Sequence, residues 1–145
     1  MAYNSQAGQA ARGIVDADTS CKPAAVALPN AANVVNTNAV DLGAVKPFPT
    51  TEKIQVKLTT TQGTAANDKN ITFYLQDSAD DNTSNYVNIG NCAKPLVNEG
   101  SNVYAASTFI LALPPVTKQY VRCCAAGEAN GGDASGGTLT MSLLF

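Results

Sequence analysis

The sequence predicts an all-β fold, namely a jelly-roll β-sandwich of about eight antiparallel strands with an extended N-terminal arm. Short apolar runs alternate with polar residues at a period of two, as in half-buried strands. Turn residues separate these runs roughly every 8–15 residues, which is typical of sandwiches and jelly rolls. No amphipathic helix of useful length is present, which argues against an alternating β/α architecture.

The first predicted strands are short, at residues 24–28, 33–35 and 39–42, and Pro and Gly residues break the chain after them. The clearest strand is predicted at 52–60, where Ile54, Val56 and Leu58 alternate with polar side chains. The strand predicted at 70–76 shows the same pattern. Its outer side chains include Tyr74.

The remaining predicted strands lie at 86–89, within 103–113, within 117–126 and at 138–145. Polar residues predict loops at 77–84 and, for the most part, at 94–102. The Gly-rich segment 127–137 is predicted to be an exposed loop. The 145 residues suit one domain, which we place at 23–145.

Residues 1–22 are small and polar, with little periodicity, and are predicted to be an arm outside the core. Such arms are either disordered or ordered by a partner. Tyr3 and Arg12 are its candidate partner-binding residues, since Tyr and Arg are enriched at interface hot spots. Tyr74 and Tyr86 are further candidates if their strands turn those side chains outward.

Charge and hydropathy argue against two classes of partner. The net charge is −2 with nine basic side chains and no basic run, so we expect no direct nucleic-acid binding. No stretch has the roughly 20 apolar residues of a membrane helix. The N-terminal residues lack the pattern of a signal peptide, so synthesis in a cytoplasm is expected.

The sequence contains no histidine, so neither a Ser-His-Asp nor a Cys-His arrangement can be built. No glycine-rich phosphate-binding motif is present either. We therefore predict no catalytic residues and no cofactor, and interpret the chain as a non-enzyme. A carboxylate-based mechanism stays open as an alternative, because its residues could be distant in the sequence.

Acidic residues cluster at Asp77, Asp80 and Asp81. We interpret them as a solvated turn, in which Asp and Asn bind nearby backbone groups. A calcium site is the alternative, because that ion prefers hard oxygen ligands, but the spacing matches no known calcium loop.

The four cysteines, Cys21, Cys92, Cys123 and Cys124, have irregular spacing, and no C-x-x-C motif predicts a zinc site. We interpret them as buried or unremarkable thiols; disulfides or a reactive thiol are the alternative. Because successive strand residues point to opposite faces, at most one of Cys123 and Cys124 should face the core.

Three short elements occur in order along the chain: Val40-Asp-Leu-Gly43, Leu75-Gln-Asp-Ser78 and Tyr120-Val-Arg122. Together with the apolar run 109–115 and a Gly-rich loop before the last strand, they resemble the small jelly-roll capsid cement (decoration) proteins of tailed bacteriophages. The resemblance covers residues 33–145.

This resemblance implies a structural virion protein on the capsid exterior. Its partners would be the major capsid protein and further copies of itself, as a dimer or trimer. The alternative is a carbohydrate-binding or adhesin-type β-sandwich module, although such modules normally display exposed aromatic side chains and this chain has no tryptophan.

Overall fold

A computed structural model of the chain describes residues 22–45, 54–64, 69–89, 94–97, 102–114 and 116–144. These ranges contain twelve β-strands, one short α-helix and one 3₁₀ helix. In chain order they are β1 Val26–Ala27, β2 Val34–Asn36, β3 Val40–Asp41, α1 Leu42–Val45, β4 Gln55–Thr60, β5 Gly63–Thr64, β6 Asn70–Ser78, the 3₁₀ helix Thr83–Asn85, β7 Val87–Asn88, β8 Lys94–Val97, β9 Val103–Tyr104, β10 Ser107–Ala112, β11 Tyr120–Ala126 and β12 Thr138–Leu144.

Two antiparallel sheets form the body of the described structure. A four-stranded sheet has the order β1-β12-β4-β10. A six-stranded sheet has the order β2-β11-β6-β7, with β3 also paired to β11 and β8 also paired to β6. Strands β5 and β9 form a separate pair. The predicted all-β sandwich is confirmed.

The core lies between the two sheets and is built from the alternating apolar side chains. Val56 and Leu58 of β4 are fully buried, as are Phe73 and Leu75 of β6. The rings of Phe73 and Phe109 meet across the sheets with 5.7 Å between centroids. Since β6 and β10 belong to different sheets, this pair shows that the two inner faces pack together.

The assignment to a jelly roll stays a prediction, and the strand order supports it. The chain passes from the four-stranded sheet at β1 to the six-stranded sheet at β2 and β3, then back at β4 and across again at β6. It returns at β10, crosses to β11 and returns at β12. This repeated crossing places strands that are distant in sequence side by side.

Strand β6 is longer than predicted. Residues Asp77 and Ser78 were expected to open a polar loop, but they continue the ladder, with Asp77 paired to Val121 and Ser78 to Tyr120. The Asp77 side chain is buried, and its Oδ2 accepts a hydrogen bond from the backbone N–H of Lys118 at 2.9 Å. This tertiary hydrogen bond lets an acidic residue occupy a core-facing strand position.

The prediction that residues 94–102 are mostly loop was wrong for its first part. Strand β8 pairs with β6, and Pro95 lies opposite Thr72. A proline is compatible with a strand at the margin of a sheet, where its missing N–H removes no ladder bond. The sequence pattern therefore failed to predict that residues 94–97 form a strand.

The loop at 127–137 was predicted to be exposed, and this was wrong for several of its residues. Ala134 is buried in the core, and Gly131 and Gly137 are buried as well. Backbone hydrogen bonds connect Ala31 N to Gly132 O at 2.7 Å and Leu28 N to Gly137 O at 2.9 Å. The glycines allow this close packing of one loop against the segment that follows β1.

Two further predictions concern the ends of elements. The strand predicted at 39–42 ends at Asp41, where Asp41 Oδ1 accepts the Gly43 N–H at 2.8 Å and α1 begins. The last strand extends to Leu144, and Phe145 lies outside the described residues. The arm, apart from Lys22, also lies outside them, as do Tyr3 and Arg12.

Candidate binding face

Strand register assigns a set of polar and aromatic side chains to the side of the six-stranded sheet that faces away from the core. We call this side the outer face and define it by three cross-strand rows. The rows are Asp41–Tyr120–Ser78, Arg122–Gln76–Asn88 and Asn36–Cys124–Tyr74. Side chains of directly opposed residues lie on the same side of an antiparallel sheet, so each row forms a contiguous strip.

The condition placed on Tyr74 is met, because Phe73 and Leu75 point into the core and Tyr74 points to the outer face. Tyr86 precedes β7 and also reaches this face. Tyr74, Tyr86 and Tyr120 are each partly exposed. The outer face therefore carries three tyrosines together with Arg122.

The centre of the outer face is a stacked pair. The guanidinium carbon of Arg122 lies 4.0 Å from the centroid of the Tyr86 ring, within the range of a cation–π interaction. Arg122 Nε donates a hydrogen bond to Gln76 Oε1 at 2.9 Å. Gln76 Nε2 in turn donates to Asn88 Oδ1 at 2.9 Å. The four side chains restrain one another over strands β11, β6 and β7.

The Tyr86 hydroxyl is restrained from the opposite side. It donates a hydrogen bond to Asp81 Oδ1 at 2.6 Å. Burial, followed by this hydrogen bond and the negative charge of Asp81, raises the pKa of Tyr86 far above its ordinary value. The phenol therefore stays protonated at any physiological pH and acts as a fixed donor.

The acidic loop beside Tyr86 is organised by its own hydrogen bonds. Asp80 Oδ1 accepts from Ser78 Oγ and from the backbone N–H of Asn82, both at 3.2 Å. The Asn85 side chain lies 3.1 Å from both oxygens of the Asp80 carboxylate. These donors, with Asn85 the largest cause, lower the pKa of Asp80.

This arrangement favours the interpretation of the acidic loop as a turn over the calcium alternative. Both carboxylate oxygens of Asp80 accept protein donors, and the Asp77 carboxylate is turned into the protein towards Lys118. Within the described ranges, no three His, Cys, Asp or Glu side chains are grouped so that they could hold a metal ion.

The adjacent cysteines lie on opposite sides of β11. Cys123 belongs to the core between the sheets, and Cys124 belongs to the outer face, as alternation predicts. Cys124 is nevertheless buried, and both are free thiols. Burial raises the pKa of each, so neither has the thiolate character of a nucleophile. Cys21 and Cys92 lie outside the described residues.

The opposite surface of the sandwich has a different chemistry. On the four-stranded sheet, Thr59 lies between Thr108 and Thr140, and Lys57 lies between Ile110 and Ser142. These two rows contain one charged residue and no aromatic residue. The Tyr–Arg cluster is thus confined, in the described structure, to the six-stranded side.

The sequence predicted Tyr74 and Tyr86 as candidate binding residues; Arg122 and Gln76 occurred only within the elements of the resemblance, and Asn88 was not noted. A signal for Arg122 was present, because Val121 and Cys123 alternate with it at a period of two. No such signal existed for Asn88. Its place beside Gln76 depends on the pairing of β7 with β6.

Comparison with known proteins identifies no family. The chain matches no protein-family model, and no curated protein is significantly similar to it. Within the described ranges, no helix has the length and apolar character that a membrane span requires.

Proposed function

We propose that this chain is a capsid decoration protein of a tailed bacteriophage. It binds the exterior of an icosahedral head and stabilises contacts between neighbouring major capsid proteins. It carries out no chemical reaction and needs no cofactor. In this role the β-sandwich is a rigid scaffold, and the side chains of its outer face contact the capsid.

One observation carries the proposal. The three short elements on which the resemblance depends are distant in the sequence but adjacent in the six-stranded sheet. Asp41 of the first element is paired with Tyr120 of the third, and Tyr120 is paired with Ser78 of the second. The elements therefore constitute one structural unit, as expected if they characterise a common fold.

Hydrogen bonds from backbone and side chains also connect these three elements. Gln119 Nε2 donates to Asp41 Oδ1 at 2.9 Å, and the Leu42 N–H donates to the Gln119 carbonyl at 2.6 Å. Lys118 N–H is bound by Asp77. The Leu-Gln-Asp-Ser and Val-Asp-Leu-Gly elements thus hold the start of β11, which positions Tyr120 and Arg122 on the outer face.

The composition of the outer face supports a binding role. Tyr and Arg are enriched at protein–protein hot spots, and a Tyr ring buries a large area at a small entropic cost. Here the Arg122 side chain is already restrained by Gln76 and Tyr86, so little freedom is lost on docking. A symmetric homo-oligomer would present several such faces to a symmetric lattice.

Co-sedimentation with phage heads that lack this protein tests the proposal. The expected result is saturable binding at a fixed ratio to the major capsid protein, together with heads that resist higher temperatures. Absence of binding to mature heads would overturn it. Light scattering coupled to gel filtration measures the accompanying expectation of a dimer or trimer.

A carbohydrate-binding module is the second candidate, and the outer face is the observation that favours it. Tyr74 and Tyr120 could stack on sugar rings, and Gln76 and Asn88 could bind hydroxyl groups. A glycan array separates the two candidates. Selective glycan binding without head binding would favour the carbohydrate module.

A further inference from the structure

We propose that Arg122 is the receptor for a carboxylate presented by the protein on which the outer face docks. The inference rests on the proposed function for the identity of that protein. The guanidinium and its surroundings determine the chemistry of the recognised group.

The Arg122 side chain has a defined orientation. The Arg122 guanidinium is restrained by the Tyr86 ring, over which its carbon lies, and by Gln76, which accepts the hydrogen bond of Nε. In the described structure, Nε is the only one of its nitrogens that has a hydrogen-bond partner. The two Nη atoms therefore form a free edge, and two parallel N–H donors match the two oxygens of a carboxylate.

The charge of Arg122 is not compensated by an ion pair within the described residues. Within the described ranges the ion pair is that of Lys69 with Glu128, at 3.5 Å, and Arg122 takes part in none. The nearby Asp81 is bound by the Tyr86 hydroxyl. A partner that covers Arg122 removes its water, and the guanidinium then requires an opposite charge in the interface.

Two carboxylates near Arg122 influence which class of anion it can bind. Asp41 is part of the outer face, and Asp81 adjoins it through Tyr86. These carboxylates offset part of the Arg122 charge, so the face has no excess of positive charge to hold a polyanion such as a nucleic-acid backbone. One Asp or Glu side chain is the anion that a protein surface offers, and its two oxygens match the two Nη donors of Arg122.

The test has two arms. In the first, wild type, Arg122→Gln, Arg122→Lys and Lys57→Gln are compared for affinity to heads that lack the protein. Lys57→Gln removes the same charge from the opposite side of the sandwich and serves as the matched control. Thermal unfolding monitored by circular dichroism verifies that each variant is folded.

The expected result is that Arg122→Gln weakens head binding about tenfold or more, as truncation of a paired interface charge does. Arg122→Lys keeps the charge but loses the planar donor edge, so its affinity should lie between those of wild type and Arg122→Gln. Lys57→Gln should bind like wild type. If Arg122→Gln also binds like wild type, the inference is overturned while the proposed function stands.

The second arm does not depend on heads. The control is N-acetylarginine amide, whose guanidinium is not restrained by a protein, and Arg122→Gln assigns the Arg122 Nε resonance. Sodium acetate should shift the Arg122 resonance more than it shifts that of the control, and more than sodium chloride does at the same ionic strength. If wild type binds no heads, the proposed function fails, and this arm decides the inference: equal shifts for Arg122 and the free arginine would overturn it.

Discussion

The guanidinium of Arg122 covers the ring of Tyr86 at 4.0 Å, and the Tyr86 hydroxyl is bound by Asp81 at 2.6 Å. Tyr86 therefore connects the acidic loop, through Asp81, to Arg122 of β11 and restrains the Arg122 side chain. A cation–π contact contributes about 0.5–1 kcal/mol at exposed sites. Its larger consequence here is orientation, because it keeps the Arg122 side chain against the sheet.

Tyr86 is thus a positioning residue for Arg122. Tyr86→Ala removes the stacking surface and should increase the mobility of the Arg122 side chain, measured by relaxation of its Nε resonance. Tyr86→Phe keeps the ring and loses only the bond to Asp81, so it is the matched control and should show a smaller change. Equal Arg122 mobility in Tyr86→Ala and wild type would contradict the assigned role.

Thr37 supplies a buried hydrogen bond to the centre of the sandwich. Its Oγ1 accepts the Cys123 N–H at 3.0 Å, and Thr37 itself is buried. Thr37→Val preserves the shape but leaves this N–H without a partner, which should cost about 1–3 kcal/mol in chemical denaturation.

Thr37→Ser retains the hydroxyl and is the control for the loss of a methyl group. Hydrogen exchange of the Cys123 amide should accelerate in Thr37→Val relative to Thr37→Ser. Equal exchange in the two variants would show that the hydroxyl does not protect this amide.

Gly127 lies where β11 ends and the segment before β2 crosses it. A Cβ at this position would overlap the carbonyl oxygen of Ala31, and the Gly127 N–H also donates to Asn33 O at 3.0 Å. Gly127→Ala should therefore destabilise the fold by about 1–3 kcal/mol, measured by urea unfolding.

Gly136 is the control, because a Cβ there meets no atom within 4 Å. Gly136→Ala should leave stability unchanged or raise it by up to about 1 kcal/mol through a less flexible unfolded chain. Equal destabilisation by both variants would argue against the close approach of Gly127 to Ala31.

Cys123 and Cys124 should be inert in the folded protein. Both thiols are buried and their pKa values are raised, so few thiolates form and reagent access is blocked. Alkylation followed by mass spectrometry of the peptide that contains both should show modification only as denaturant unfolds the chain. Rapid labelling of either thiol under native conditions would contradict the burial of β11.

Asp80 provides a pH-dependent test of the acidic loop. Its folded-state pKa lies below the ordinary 3.8, so the ionised form stabilises the fold above that pH. The contribution is lost as the pH falls through the lower, folded-state value. Asn85→Ala removes the largest cause of the shift, and the Asp80 pKa should rise towards its ordinary value in an NMR titration.

Asp133 is the internal control for that titration. Its pKa is also lowered, but by hydrogen bonds from Ser135. It should not change in Asn85→Ala. A parallel rise of both pKa values would indicate a general loss of structure and not the removal of one donor.

The sequence alone predicted the β class and most strand positions, because side-chain alternation is a local property of an extended chain. The burial of Ile71, Phe73 and Leu75 and of Leu139, Met141 and Leu143 follows directly from that period. The opposite orientation of Cys123 and Cys124 follows for the same reason.

Predictions from local sequence patterns were wrong where strand pairing or tertiary packing, and not amino-acid composition, determines the structure. Strand β8 contains Pro95, and its residues show no alternation of polar and apolar side chains. Its backbone pairing with β6 nevertheless makes it a strand. The loop containing Ala134 is polar and Gly-rich, and it is buried because glycines permit close contact with the segment after β1.

The order of residues along each strand specifies which of its side chains share a face. It could not determine which strands are neighbours, since that depends on long-range pairing and loop closure. Only the tertiary structure placed Tyr86 over Arg122 and Gln76 beside Asn88. The residues of the candidate binding face come from separate segments of the chain, and no local sequence pattern specifies which of these segments become neighbours. The face therefore depends on the pairing and register of the strands.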